Sequence, residues 1–247
     1  MTDGGQFAGH RALVTGAAGG IGTAVTALLA DGGAEVCGID AAQPSGDAWI
    51  QCDLRVPADT DQAVAECARR LGGLDIVVNI AGGSGRRHGD GRVDEITDAG
   101  LDYVLDLNLR TVFHVCRAAV RRLGPGSSIV NVASVLGLVG GPAGSFDAHG
   151  YAAAKGAIIA LTRAMAVSYA DRGIRVNAVA PGLVRTPMSA RAQASSEVLA
   201  VAAQMQPLTG ALIDAADVAT TVAFLASPGA QAITGVILPV DGGWTAA

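Results

Sequence analysis

Short apolar runs alternate with helix-length segments along the whole chain, and few architectures accept that order. The runs are Arg11–Thr15, Ala34–Ile39, Trp49–Cys52, Leu74–Val78, Ser128–Val132, Arg175–Val179 and Val236–Val240. Most are continuous and β-branched rather than alternating, the pattern of strands covered on both faces. Helical patterns fill about 20–31, 58–71, 99–123, 151–170 and 214–226, several of them closed by Gly32-Gly33, Gly72-Gly73 or Gly124-Pro125-Gly126. Glycine stops a helix there because it takes up left-handed backbone freely. This alternation predicts an α/β fold: a doubly wound parallel sheet of about seven strands, Rossmann-like, with right-handed crossovers and helices on both faces. No repeat or Ser/Pro-rich linker divides the 247 residues, and such folds commonly reach this length undivided. The expectation is one domain over 1–247.

Composition excludes several function classes. A net charge of −5 with no basic block speaks against a nucleic-acid partner. No apolar run approaches the ~18 residues of a membrane span. Met1–His10 lacks the apolar core of a signal peptide. The four histidines are scattered, without the spacing of a metal site. Cys37, Cys52, Cys67 and Cys116 form no C-x-x-C pair. They are expected to be four separate buried thiols in a reducing compartment. The expected protein is soluble and cytoplasmic, with no bound metal.

Of the 17 Lys and Arg residues only one, Lys155, is lysine, and it follows Tyr151 by four positions. On a helix these two project from one face, a turn apart. A compact ammonium acts as a point charge where a guanidinium does not fit. Beside a phenol of ordinary pKa about 10, it would lower that pKa and make the phenol a usable acid and base.

Thr15-Gly16-x-x-Gly19-Gly20-Ile21-Gly22 occupies the first strand–helix connection. Glycines there let the backbone approach a pyrophosphate, whose charge then rests on the helix N-terminus. Asp40 closes the second strand. Its carboxylate would accept the adenosine ribose hydroxyls and repel a 2′-phosphate. No Arg or Lys lies in the glycine turn or just after Asp40, so NAD is expected rather than NADP. Asp53 would reach the adenine, although turn chemistry also accounts for an Asp at that point.

These motifs, with Asp53-Leu54, Asn79-Ile80-Ala81-Gly82, Asn108, Ser134, Pro181-Gly182 and Val240-Asp241-Gly242-Gly243 in this order, resemble the classical short-chain dehydrogenases/reductases over nearly the whole chain. The resemblance implies an NAD-dependent enzyme that interconverts a secondary alcohol and a ketone. Tyr151 would be its general acid/base, Lys155 would tune the phenol and hold the nicotinamide ribose, Ser134 would orient the reacting oxygen, and Asn108 would hold a relay water. The cofactor would be bound by Gly16, Gly20, Ile21, Gly22, Asp40, Asp53, Leu54, Asn79, Ala81, Gly82, Tyr151, Lys155, Pro181, Gly182, Val184 and Thr186. Asn79 would chiefly support the sheet. A homo-oligomer, dimer or tetramer, is implied through the helices around 103–122 and 151–170.

The chain departs from the family pattern in several places. Ile80 stands where relatives carry a second Asn, and three segments, 83–92, 135–150 and 186–206, are read as substrate loops. Long loops beside a site often carry specificity. Arg86, Arg87 and His88 would meet a carboxylate or phosphate on the substrate, or else lie in solvent; Phe146 and His149 are further candidates for contact. The stretch 188–205 would be a lid or a plain surface helix. The rival activities are an NADPH-dependent 3-oxoacyl-carrier-protein reductase, a dinucleotide-binding regulator without catalysis, and an epimerase or dehydratase. Steroid, sugar, cyclic diol, terpenoid and acyl ketone substrates all remain open.

Overall fold

The computed structural model describes residues 5–42 and 48–246, so part of the Met1–His10 leader reading lies outside the described residues. The strands are β1 (Arg11–Thr15), β2 (Glu35–Asp40), β3 (Trp49–Gln51), β4 (Leu74–Asn79), β5 (Leu123–Val132), β6 (Arg175–Pro181), β7 (Val184–Arg185), β8 (Ile213–Asp214) and β9 (Ile237–Val240). Seven form one parallel sheet in the order β3-β2-β1-β4-β5-β6-β9. The order reverses beside β1, between β2 and β4, and open sheets of this kind bind ligands at the carboxyl edge of such a switch point. β7 and β8 form a separate parallel pair.

The helices are α1 (Gly20–Asp31), α2 (Pro57–Leu71), α3 (Asp98–Leu105), α4 (Thr111–Val120), α5 (His149–Ser168), α6 (Ala190–Gln193), α7 (Ser196–Met205) and α8 (Ala215–Ala226). One apolar cluster joins α2, α4 and α5 to one sheet face through Val64, Val115, Ile158 and Ile129. A second joins α1 and α8 to the other face through Val25, Leu29, Val222 and Val130. Continuous apolar strands are therefore covered on both sides, as their sequences predict.

Three expectations are corrected. The single helix over 99–123 is three pieces, because a π-helical turn at Asp106–Arg110 separates α3 from α4. The chain is already extended at Leu123, which pairs with Leu74 before the register shifts. The cysteines are not four separate thiols: Cys37 on β2 and Cys67 on α2 are joined as a disulfide, and Cys52 and Cys116 are free and buried. Sequence spacing hid that pair because strand and helix bring together residues 30 apart, at a Cα separation of 5.8 Å. Among the described residues no helix is long and apolar enough to cross a membrane.

Arg175 holds one end of the structure. Its guanidinium donates to the carbonyls of Leu225 (2.7 Å), Ser227 (3.1 Å) and Ala226 (3.3 Å) at the end of α8. The last carbonyls of a helix have no partner within it, and a cation there also meets the negative end of the helix dipole. Arg175→Met is expected to lower the unfolding free energy by about 2 kcal/mol, seen as a lower urea midpoint with an unchanged slope.

Candidate active site

The glycine turn leaves β1 with Gly16 at φ 64°. A Cβ on Gly16 would come within 2.8 Å of the Ala81 amide nitrogen, and one on Gly22 would collide with the Gly16 carbonyl. A Cβ on Gly20 would meet Thr186 at 2.8 Å. The turn thus needs its glycines to lie against both the β4 end and the segment after β6. Thr15 ties β1 to β4, its Oγ1 accepting from Ile80 N (3.1 Å) and Ala81 N (3.2 Å).

Asp40 ends β2 beside this turn. Its carboxylate accepts from Ala18 N and Ala42 N, both at 3.0 Å. Asp53 has a different engagement from the one expected of an adenine contact. Both its oxygens are bound by Arg55, the shortest contact being 2.6 Å, and the guanidinium holds the carboxyl below its usual range. The sequence reading overlooked Arg55, which the β3–α2 connection brings to the same end of the site as Asp40.

At the other end, α5 carries Tyr151 and Lys155. The first amides of a helix lack internal partners, and here Asp90 supplies one, accepting from Gly150 N (3.0 Å) and Tyr151 N (3.2 Å). Lys155 is buried and donates to the Val132 carbonyl at the end of β5, at 2.9 Å. Ser134 follows β5, and its Oγ accepts from Leu136 N. Burial pushes the Tyr151 phenol up to about 12, with a hydrogen bond to Ser134 opposing the rise. Burial also pulls the Lys155 ammonium down to about 8. The expected lowering of the phenol by Lys155 is therefore absent from the chain alone. Desolvation outweighs the charge, because the ammonium is turned to a carbonyl and lies 5.6 Å from the ring centroid.

One cavity of about 770 Å³ runs from Asp40 to Ser134, Tyr151 and Lys155. All the expected site residues line it except two, Asn79 and Asn108. Asn79 points into the core, where its Nδ2 donates to Asn131 Oδ1 at 2.8 Å; Asn131 in turn donates to Thr162 on α5 at 2.9 Å. The Asn79 side chain thus lies behind the wall, where it ties β4 to β5. Asn108 sits in the π turn and is fully buried. Its Oδ1 accepts from Gly83 N (3.1 Å), and its Nδ2 donates to the carbonyls of Gly83 and Val104, both at 3.0 Å. A Cβ on Gly82 would lie 2.7 Å from Asn108 Oδ1 and 3.6 Å from Lys155 Nζ, so these three residues meet. A π turn is a recurring mark of functional sites, but no local sequence signal gave this one away.

Of the loop candidates, Arg86, Arg87 and Phe146 line the cavity, whereas His88 stacks on Tyr103 and His149 accepts from Val93 N. The stretch 188–205 is α6 and α7, and several of its residues line the cavity. Besides Arg55, three further contributors escaped the sequence reading: Arg191, Trp244 and Gln206. Gln206 is fully buried and accepts from Leu183 N at 2.6 Å, fixing the turn that follows β6. No metal-ligating group of His, Cys, Asp or Glu occurs among the described residues.

Comparison with known proteins places this geometry. A family model described as enoyl-(acyl carrier protein) reductase matches residues 16–245. Cis-4-hydroxycyclohexanecarboxylate dehydrogenase of Sinomonas cyclohexanicum is 40% identical over 97% of this chain and 98% of its own. Cyclohexanol dehydrogenase of Acinetobacter sp. (strain SE19) is 34% identical over 97% of this chain and 96% of its own. Among solved structures, carveol dehydrogenase from Mycobacterium avium in complex with NAD is 32% identical and superposes with a TM-score of 0.89 over 98% of this chain and 100% of that one. With its parallel sheet, its glycine turn and the Ser134, Tyr151 and Lys155 cluster at one edge, the chain belongs to the short-chain dehydrogenases/reductases.

Proposed function

We propose that this chain is an NAD-dependent dehydrogenase that interconverts a secondary alcohol and a ketone. The observation that carries this reading is the single cavity joining the glycine turn and Asp40 to Ser134, Tyr151 and Lys155. The family binds a nicotinamide dinucleotide, and the cradle fits one: Gly16, Gly20 and Gly22 line the cavity with bare backbone, which leaves no side chain between the turn and a pyrophosphate. When bound, that cofactor accepts or donates the hydride. The relatives named for cyclohexanol and for a hydroxycyclohexanecarboxylate support a cyclic secondary alcohol as substrate.

The chain's own residues supply position and the proton. Ser134 Oγ holds the reacting oxygen. Tyr151 Oη takes the hydroxyl proton during oxidation and returns it to the forming alkoxide during reduction. Below about pH 8 Lys155 carries a positive charge one helical turn from the phenol, and Asn108 fixes the backbone of Gly83 beside it. Oxidation needs the ionised phenol and reduction the neutral one. A phenol held up by burial to about 12 therefore makes oxidation go on rising with pH past about 10, where an ordinary phenol levels off, while reduction declines only on the alkaline side. Steady-state rates in both directions check this, and Tyr151→Phe is expected to lose at least about 10³-fold in kcat in each while still binding NAD. Substantial turnover in the folded variant would remove Tyr151 from the proton transfer.

Asp40 supports NAD over NADP. Its carboxylate stands where a 2′-phosphate would be repelled, and Arg55 is held by Asp53. The wild type is expected to prefer NADH by at least about tenfold in kcat/KM, and Asp40→Ser to narrow that preference. Faster turnover with NADPH would favour the carrier-protein reductase reading.

A homotetramer is the proposed assembly. Ala153, Ala160, Ala164 and Val167 form an exposed stripe of small apolar residues along α5, and Phe113 is exposed on α4. Such faces call for cover. Light scattering on the eluting protein should give about four times the 24.6 kDa chain mass; a monomer would refute the assembly.

A further inference from the structure

Besides Ser134 and Tyr151, the cavity's walls include the apolar residues Leu136, Phe146, Met188, Val198 and Trp244, together with Arg86 and Arg191. Trp244 meets Phe146 edge to face at 4.9 Å. Arg86 comes from the loop after β4 and is half-buried; its Nη2 donates to the Ser145 carbonyl at 3.1 Å. Arg191 comes from α6, more than a hundred residues later.

Among the described residues no acid forms an ion pair with either arginine. Burial, and next the charge of Arg191, pull the Arg86 guanidinium below its usual range; Asp90 and Asp147 act the other way and more weakly. Asp90 is occupied at the start of α5, and Asp147 accepts from Gly144 N. Among the described residues, Arg11, Arg55, Arg92, Arg110 and Arg185 all sit in ion pairs, but neither Arg86 nor Arg191 does. Arg191 is exposed where it lines the cavity, and its charge adds to the cost of burying Arg86. A carboxylate placed between them would reverse that, since the guanidinium fork matches its planar geometry.

We propose that Arg86 and Arg191 bind a carboxylate on the substrate, so that this enzyme acts on apolar cyclic alcohols bearing an acid group remote from the reacting hydroxyl. This rests on the dehydrogenase reading above. The apolar residues hold the ring, Ser134 and Tyr151 receive its hydroxyl, and the two arginines receive the acid. A single negative charge suits a pair of guanidiniums in a mostly apolar wall better than a phosphate dianion, which needs more donors.

Two measurements separate this inference from the reading beneath it. The protein loaded with NADH is titrated with cyclohexanecarboxylate and with its methyl ester, neither of which has a hydroxyl to react. The acid should bind at least about tenfold more tightly than the ester, and Arg86→Gln and Arg191→Gln should each remove most of that advantage. Arg191→Gln is the safer variant, because Arg86 also holds the Ser145 loop. In parallel, kcat/KM is compared for 4-hydroxycyclohexanecarboxylate and its methyl ester with NAD; the acid's advantage should shrink in both variants. Turnover with no preference for the acid, or a preference that survives both substitutions, would overturn the carboxylate site and leave the dehydrogenase standing. Weaker NAD binding in the variants with the acid preference unchanged would assign the arginines to the cofactor, which also overturns it. Selective binding of the acid without turnover of any alcohol would count against the dehydrogenase and not against the site.

Discussion

The hydrogen bond from Lys155 to the Val132 carbonyl is the point on which the site turns. It spans from α5 to the last residue of β5, and so fixes the helix against the sheet edge. Ser134 follows two residues later on the same strand end, and Tyr151 stands one turn earlier on the same helix. A guanidinium at position 155 would be too large and too rigidly planar for this place. Asp90 performs the matching task at the start of α5, where its carboxylate takes two otherwise unpaired amides. The reacting residues are thus held by one bond at the sheet and two at the helix start, all made to backbone.

The electrostatics of the chain alone are unbalanced by design of its burial. Tyr151 is held neutral well above its ordinary range, and Lys155 is pulled toward neutrality. Among the described residues no carboxylate forms a hydrogen bond with either side chain. A similar imbalance appears further out, where Arg86 and Arg191 face the cavity without an acidic partner. A charged group is costly in a protein interior without a partner, and Tyr151, Lys155 and the half-buried Arg86 all line this one cavity. The fold therefore holds open the places that a dinucleotide and an acidic alcohol would complete.

Much of this was legible in advance. The strands were visible because both-face burial demands continuous apolar runs, and the observed boundaries lie close to those expected for β1, β2, β4 and α2. Tyr151 and Lys155 stood out because helical spacing puts them on one face. Asn79 and Asn108 were visible as motif residues, but their position behind the cavity wall was not, since a motif does not say which way a side chain turns. The π turn was hidden because Asp106–Arg110 reads as ordinary helix. The Cys37–Cys67 pairing was hidden because neither spacing nor motif links a strand residue to a helix residue 30 positions on.

The sequence by itself determined the doubly wound sheet, the glycine turn and the tyrosine–lysine pair. Each of these is written in a local pattern, whether a run, a spacing or a dipeptide, and local patterns survive without knowledge of distant contacts. Only the tertiary structure decided that Asp90 would hold the start of α5, and that Arg86 and Arg191 would face one cavity. Those pairings join loops whose conformations depend on what packs around them, and a charged residue in a loop carries no sign of its partner until the chain has closed.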